Sequence, residues 1–281
     1  MRASLPVILL IPSCLWSASL SGQIVFSRRV YQSRGASYQQ IWVWNPAGGP
    51  LKALTRSSRN HYLPACGGGQ LTFVSPEKYA DNAVQWSFNP VSGQERVIGP
   101  AAPPPRRPEP PPHNGCDRTA KAGLLEACAT GEELSLSRAG KPVAHFHLQV
   151  NECSDARGGT HGPCATPILS LEWSPDGKWL LVGELGRDTN STAPQFDYYV
   201  IDSAGLRSQK VAAAEQYSAR WLSGRNRLLY VTPRSLAELP AAKRRRSVWV
   251  QHLVLFDPAA NTHKLLTSGL TNNLDLAVCT Q

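Results

Sequence analysis

Cys153, His161 and Cys164 fall within twelve residues of one another, and His145 and His147 stand two apart, on one face of any strand that carries them. Thiolates and imidazoles so placed are zinc ligands, but this spacing matches no common zinc knuckle. In an oxidising compartment Cys153 and Cys164 instead close a short Gly-containing loop as a disulfide, and that reading is adopted. No Cys-x-x-Cys-His run is present, so haem attachment is excluded by that criterion, and no Gly-x-Ser-x-Gly elbow marks a serine hydrolase. Asp176, Asp202 and Asp257 sit in turns, where a carboxylate bonds the local backbone rather than a substrate. No residue is assigned to catalysis, to a metal or to a cofactor, and the chain is read as non-enzymatic.

The chain has seven cysteines. Cys14 lies in an N-terminal segment with Arg2, an apolar run from Leu5 to Trp16, and small residues at Ser17, Ala18, Ser19 and Ser21. That three-part order is the pattern of a secretory signal peptide, cut between Ser19 and Gln23. The division is therefore 1–21 as signal and 22–281 as the working domain, placed in the periplasm or secreted. Ile11-Pro-Ser-Cys14 allows the alternative of a lipoprotein anchored through Cys14. No later stretch holds eighteen consecutive apolar residues, so no transmembrane helix is expected. Six cysteines remain, an even number suited to disulfides. The net charge of +9 points to anionic envelope surfaces rather than to nucleic acid.

The elements that must position these groups repeat. Leu171-Glu-Trp-Ser-Pro-Asp-Gly-Lys-Trp-Leu-Leu-Val182 reads as strand, tight turn, strand: Pro presets φ and Gly accepts positive φ. Ala219 to Val231 and, more loosely, Ala65 to Val74 repeat it. Between them recur strands ending in Asn, Asp or Ser turns at Trp42–Gly48, Trp86–Ser92, Leu134–Gly140, Tyr199–Gly205 and Leu255–Ala260. The apolar strands before these turns start at Ile24, Leu71, Leu124, Leu180 and Leu228, roughly 47 to 56 residues apart. Short strands at that period predict an all-β chain, a β-propeller of five four-stranded blades. The long segment Pro100 to Cys164 leaves room for a sixth. Lys264-Leu-Leu-Thr267 and its sequel to Cys279 match Lys52-Ala-Leu-Thr55 and its sequel to Cys66. The chain thus ends on an inner strand and begins, at Ile24, on a second one, so the C-terminal strand closes the first blade.

Trp173-Ser-Pro-Asp-Gly-Lys and the strand after it resemble the repeat of TolB-type β-propellers. The resemblance is strong over 168–232, fair over 24–98 and 248–279, and poor over 100–167. It covers the propeller only, without the N-terminal α/β domain of TolB. It implies an exported scaffold that binds a protein or peptide.

The repeat alignment sets Cys66 and Cys279 at equivalent inner-strand positions of neighbouring blades, which predicts Cys66–Cys279. Cys116 and Cys128 join the two arms of a hairpin in the third unit, which predicts Cys116–Cys128.

In a propeller, connections between strands one and two and between three and four share one face, and the others share the opposite face. The first set is tight, as at Ser174–Gly177, Ser223–Asn226, Asn45–Gly48 and Asp202–Gly205. The long insertions Arg28–Gln40, Gly99–His113, Asn151–Thr166, Gly186–Gln195 and Thr232–Ser247 all belong to the second. That rim is the expected binding face. Its basic residues are Arg28, Arg29, Arg106, Arg107, Arg187, Arg234, Lys243, Arg244, Arg245 and Arg246. The expected partner is an envelope protein or peptide, bound by a monomer. The alternative is a polysaccharide-binding or glycoside-cleaving propeller working in the central funnel. Such chemistry uses paired carboxylates, and Glu172 and Asp275 are the main acids at innermost positions.

Overall fold

The computed structural model describes residues 20, 22–31, 37–56, 59–67, 70–76, 83–101, 115–148, 151–154, 160–164, 167–186, 195–204, 206–215, 218–222, 224–238 and 247–279. The signal-peptide and lipid-anchor readings fall almost wholly outside them. All regular elements among the described residues are strands.

Five antiparallel four-stranded sheets form the blades. The first contains Ile24–Tyr31 (β1), Ser37–Trp44 (β2) and Lys52–Ala53 (β3). Tyr62–Gly67 (β4), Gln70–Pro76 (β5), Ala83–Phe88 (β6) and Glu95–Pro100 (β7) make the second. The third is built of Arg118–Ala122 (β8), Leu125–Thr130 (β9), Glu133–Arg138 (β10) and Lys141–His147 (β11). Asn151–Ser154 (β12) and Thr160–Cys164 (β13) pair as a separate hairpin. Ile168–Trp173 (β14), Trp179–Gly186 (β15), Gln195–Asp202 (β16) and Ser208–Glu215 (β17) form the fourth blade. The fifth joins Ala219–Trp221 (β18) and Leu228–Val231 (β19) to Leu253–Asp257 (β22) and Thr262–Leu265 (β23). A second hairpin, Ser235–Glu238 (β20) with Ser247–Val250 (β21), is inserted between β19 and β22. No sixth four-stranded sheet occurs among the described residues: the segment that left room for one supplies blade three and the β12–β13 hairpin.

Asn272–Val278 (β24) is the inner strand of blade one, antiparallel to β1 with Ile24 opposite Val278 and Arg29 opposite Asn272. Gly22 N donates to Cys279 O and Cys279 N to Gln23 O, which extends the ladder at 2.7 and 2.8 Å. The edge that β1 would otherwise expose is thereby paired.

The Ser174-Pro-Asp-Gly turn forms for local reasons. Gly177, at φ +69°, donates its N–H to Ser174 O, and Ser174 N donates to Trp179 O. Burial works to raise the Asp176 carboxyl, but hydrogen bonds from Ser174 Oγ and the Lys178 amide, with the Lys178 ammonium, hold it below the usual carboxylate range. The group is a turn staple. Asp202 accepts from the Ala204 amide and Asp257 from the Ala260 amide in the corresponding turns.

Alternation along the strands sends apolar side chains into the spaces between blades. Phe196, Tyr198 and Val200 meet Trp221, Tyr230 and Phe256 between blades four and five. Leu134 and Leu136 meet Leu180, Val182 and Ile201 between three and four. Ile24 and Phe26 meet Leu229 and Leu253 between five and one, and Val25 and Ile41 meet Leu71 and Phe73 between one and two. No such cluster spans blades two and three among the described residues. Thr72, Val74, Gln85 and Ser87 alternate with the buried side chains of blade two, and Lys121, Glu126, Cys128 and His145 with those of blade three.

Candidate binding face

The strand order puts the connections on two faces as expected. The strand ends joined by the five longest, 54–61, 101–117, 148–167, 187–194 and 232–252, all stand on one face, and both extra hairpins belong to it; the long insertion expected at 28–40 reduces to 32–36. Two sequence boundaries need correcting. Arg28 and Arg29 stand inside β1, which continues to Tyr31, because they pair with Gln40 and Gln39 across the sheet. Residues 232–247 are not a plain loop, since β20 occupies part of them.

Arg28 and Arg29 occupy the half of β1 nearest the long-connection face but point to opposite sides of blade one. Arg28 shares its side with Phe26, toward blade five. Its guanidinium lies 4.5 Å above the Trp42 ring and burial lowers its pKa. Burial lowers the nearby His252 first, and the charge of Arg28 lowers it further. Arg29 turns toward blade two, where its charge opposes the burial that raises Tyr31 and Tyr62. Its Nε is buried and donates to no described group. Arg234 is exposed on the approach to β20. Arg106, Arg107, Arg187, Lys243, Arg244, Arg245 and Arg246 lie outside the described residues.

Beneath this face lies a repeated polar layer. Thr55 Oγ1 accepts from the Ile41 amide at 3.0 Å and Thr267 Oγ1 from the Leu253 amide at 2.9 Å. His61 N donates to Gln39 O, and Asn273 N to Gln251 O, in the same relation one blade apart. His61 is fully buried against Phe73, at 4.7 Å between ring centroids. Burial, reinforced by Arg59, lowers its pKa to about 4, so the imidazole is neutral at physiological pH.

The other end of the funnel holds a cavity of about 540 Å³ lined by Pro64, Glu172, Trp173, Arg220, Trp221 and Leu276 among others. Glu172 is the one carboxylate among its described lining residues. Trp221 Nε1 donates to Glu172 O at 3.0 Å, tying the inner strands of blades four and five. Asp275 is not in that lining; its carboxylate accepts from Ser27 Oγ and the Leu63 amide. A second cleft of about 510 Å³ on the tight-turn face is held by compensated charges, with Lys178 on Asp176 and Arg227 on Asp257.

A carboxylate pair escaped the sequence reading. Glu184 and Asp197 stand directly opposite on β15 and β16, both buried, between blades three and four. Lys210 Nζ reaches Asp197 Oδ2 at 2.8 Å, while burial and then Glu184 push the Tyr199 phenol upward. The signal was present as acids interrupting apolar strands at Val-Gly-Glu184 and Phe-Asp197, but only the register shows that they meet. They face a packed blade interface rather than the funnel.

Of the expected disulfides, Cys66–Cys279 and Cys116–Cys128 are formed, with Cα separations of 5.0 and 5.4 Å. Cys153 and Cys164 lie on the paired strands β12 and β13, where Cys164 is opposite Asn151. Their side chains, and that of His161, lie outside the described set. His145 and His147 each approach a carboxylate on blade three, Glu133 at 3.7 Å and Glu132 at 3.5 Å. Among the described residues no group of three or more His, Cys, Asp and Glu side chains could hold a metal ion.

No protein-family model matches the chain, and no curated protein matches it. Among solved structures, TolB from Acinetobacter baumannii is similar at 12% identity and a TM-score of 0.28, over 89% of this chain and 53% of that one. The β-propeller domain of the trilobed protease from Pyrococcus furiosus is similar at 11% identity and a TM-score of 0.33, over 77% and 59%. The acylaminoacyl peptidase from Pyrococcus horikoshii is similar at 11% identity and a TM-score of 0.32, over 73% and 31%. The chain thus spans about half the length of that TolB and under a third of that peptidase. The chain's own five sheets and the pairing of β24 with β1 make it a β-propeller.

Proposed function

We propose that this protein is an exported, non-catalytic β-propeller that binds a protein or peptide of the cell envelope on its long-connection face. The observation that carries the reading is that the strand ends joined by the five longest connections, and both extra hairpins, stand on one rim of the blades. Arg29 and Arg234 are basic residues on the described part of that rim, which also carries Glu132, Glu133 and Glu238. Two disulfides suit an oxidising compartment, as the N-terminal sequence does. The competing reading, polysaccharide chemistry in the funnel, calls for paired carboxylates, and the described cavity lining offers Glu172 alone.

The test is affinity capture from an envelope extract. It would compare the wild-type domain with Arg29→Ser/Arg234→Ser on one face and Lys178→Ser/Arg225→Ser on the other. The reading expects a discrete partner whose recovery drops with the first variant and persists with the second. Equal recovery by all three, or loss only with the second, would contradict it.

A further inference from the structure

Arg28 carries a charge for which the described fold supplies no counter-ion. It is half-buried on the side of β1 that faces blade five, with its guanidinium 4.5 Å above the Trp42 ring. Among the described residues that guanidinium donates no hydrogen bond and pairs with no carboxylate. Asp275, the one acid of β24, faces the other side of blade one, where Ser27 Oγ donates to it. The residues directly opposite Arg28 on its own side are the amides Asn273 and Gln40. Asn273 Nδ2 is already donated to the Gln251 carbonyl and the Thr267 hydroxyl. Trp42 Nε1 is buried as well and donates to no described group. A cation taken partly out of water calls for a partner, and a guanidinium lying over a ring keeps the fork of N–H donors at its edge free for one.

We propose that Arg28 and Trp42 form a receptor for a carboxylate, the side chain of an acidic residue on the docked partner, entered from the long-connection end between blades five and one. This rests on the reading that a protein or peptide docks on that face. A carboxylate is planar and accepts two parallel bonds from the guanidinium fork, and such charge-assisted bonds are about twice as strong as neutral ones. The indole N–H, in the ring that Arg28 covers, is a further donor for the same group. His252 couples the site to protons. Its Nδ1 lies 3.3 Å from Thr271 Oγ1, and protonation is disfavoured first by burial and then by the charge of Arg28. Its other described polar neighbour, Thr232, is uncharged. A carboxylate on Arg28 offsets that charge, so the occupied site takes up a proton on His252 more readily, and by reciprocity the proton tightens the carboxylate.

The experiment titrates the mature protein with glutamate blocked as its N-acetyl methylamide, with glutamine blocked in the same way, and with inorganic phosphate. The readout is the NMR shift of the Arg28 and Trp42 side-chain N–H signals, assigned by their loss in Arg28→Lys and Trp42→Phe. Blocked glutamate should give saturable shifts, with tighter binding at about pH 6 than at about pH 7.5, a range in which its carboxylate stays ionised. Arg28→Gln should weaken that binding on the order of tenfold or more, read at Trp42, and His252→Asn should remove the pH dependence. Should Arg28→Gln fail to fold, Arg28→Lys, which keeps the charge and loses the fork, should still bind more weakly than wild type. The absence of a saturable shift, an equal response to blocked glutamine, a preference for phosphate, or unaltered binding by the folded Arg28 variant would overturn the proposal. No partner is present in the titration, so its failure would leave the long-connection docking face standing, whereas partner adducts on the opposite face would overturn that face and not the carboxylate site at Arg28.

Discussion

Leu63 donates its amide N–H to the carboxylate of Asp275 at 3.3 Å, and both residues hold left-handed backbone, at φ 48° and 53°. They occupy equivalent places in the inner strands of blades two and one, each at a break in the ladder register. A bulge there bends the strand and frees an amide, and the Asp275 side chain satisfies it while also accepting from Ser27 Oγ at 2.7 Å. The arrangement joins the closing strand to the blade that follows it.

Asp275→Ala should destabilise the domain by about 1–3 kcal/mol, because fully buried Ser27 keeps only the Leu274 carbonyl at 3.4 Å as acceptor and the Leu63 amide loses the carboxylate. Urea denaturation monitored by tryptophan fluorescence would measure it. A change below about 0.5 kcal/mol would mean that this link is incidental.

The Cys66–Cys279 bond ties the same two strands across 213 residues of sequence, whereas Cys116–Cys128 spans 12. A crosslink restricts the unfolded chain more as its loop lengthens. Removing the first by Cys66→Ser/Cys279→Ser should cost about 2–5 kcal/mol and exceed the loss on removing the second. Thermal melts of both variants, with and without reductant, rank them directly. Deleting residues 272–281 should be worse than either, since the edge of β1 would open.

His61 sets a pH dependence. Its folded pKa, about 4, lies below the unfolded value of 6.5. Between those values the unfolded chain binds a proton that the folded chain refuses, so stability falls as pH drops through this window. The loss is complete below about pH 4 and amounts to about 3 kcal/mol. His61→Asn, which installs the side chain that blade one carries at Asn273, should flatten that part of the profile. Denaturation midpoints measured from pH 7 to pH 4 would show whether it does.

Lys210→Met should destabilise by about 1–3 kcal/mol, discounted because the ammonium is partly exposed while Asp197 is buried. Adding Asp197→Asn should recover part of the loss. A double-mutant cycle with additive costs would show that the pair is not coupled.

What the sequence made legible follows from what is local. Ser174-Pro-Asp-Gly announces a turn because its bonds close within five residues, and the five strands ending in Asn, Asp or Ser turns give the blade count. The match between Thr55 and Thr267 exposed the closure because each hydroxyl performs the same backbone bond in its own blade. Long-range register was not legible. Nothing in Glu184 or Asp197 reveals that they meet, and Arg28 read as loop because a polar residue at the end of an apolar strand looks like its terminus. The β20–β21 ribbon was hidden because Leu236 and Trp249 break the inside-apolar alternation by which short strands are recognised.

The central claim is that partners dock on the long-connection face, and site-specific photocrosslinking tests it most directly. A photoreactive phenylalanine analogue would replace Arg234 or Tyr62 on that side, or Ala204 or Ala259 in the tight turns, in cells making the full chain. The account predicts discrete adducts from the first pair and none from the second. Adducts confined to positions 204 and 259 would contradict it.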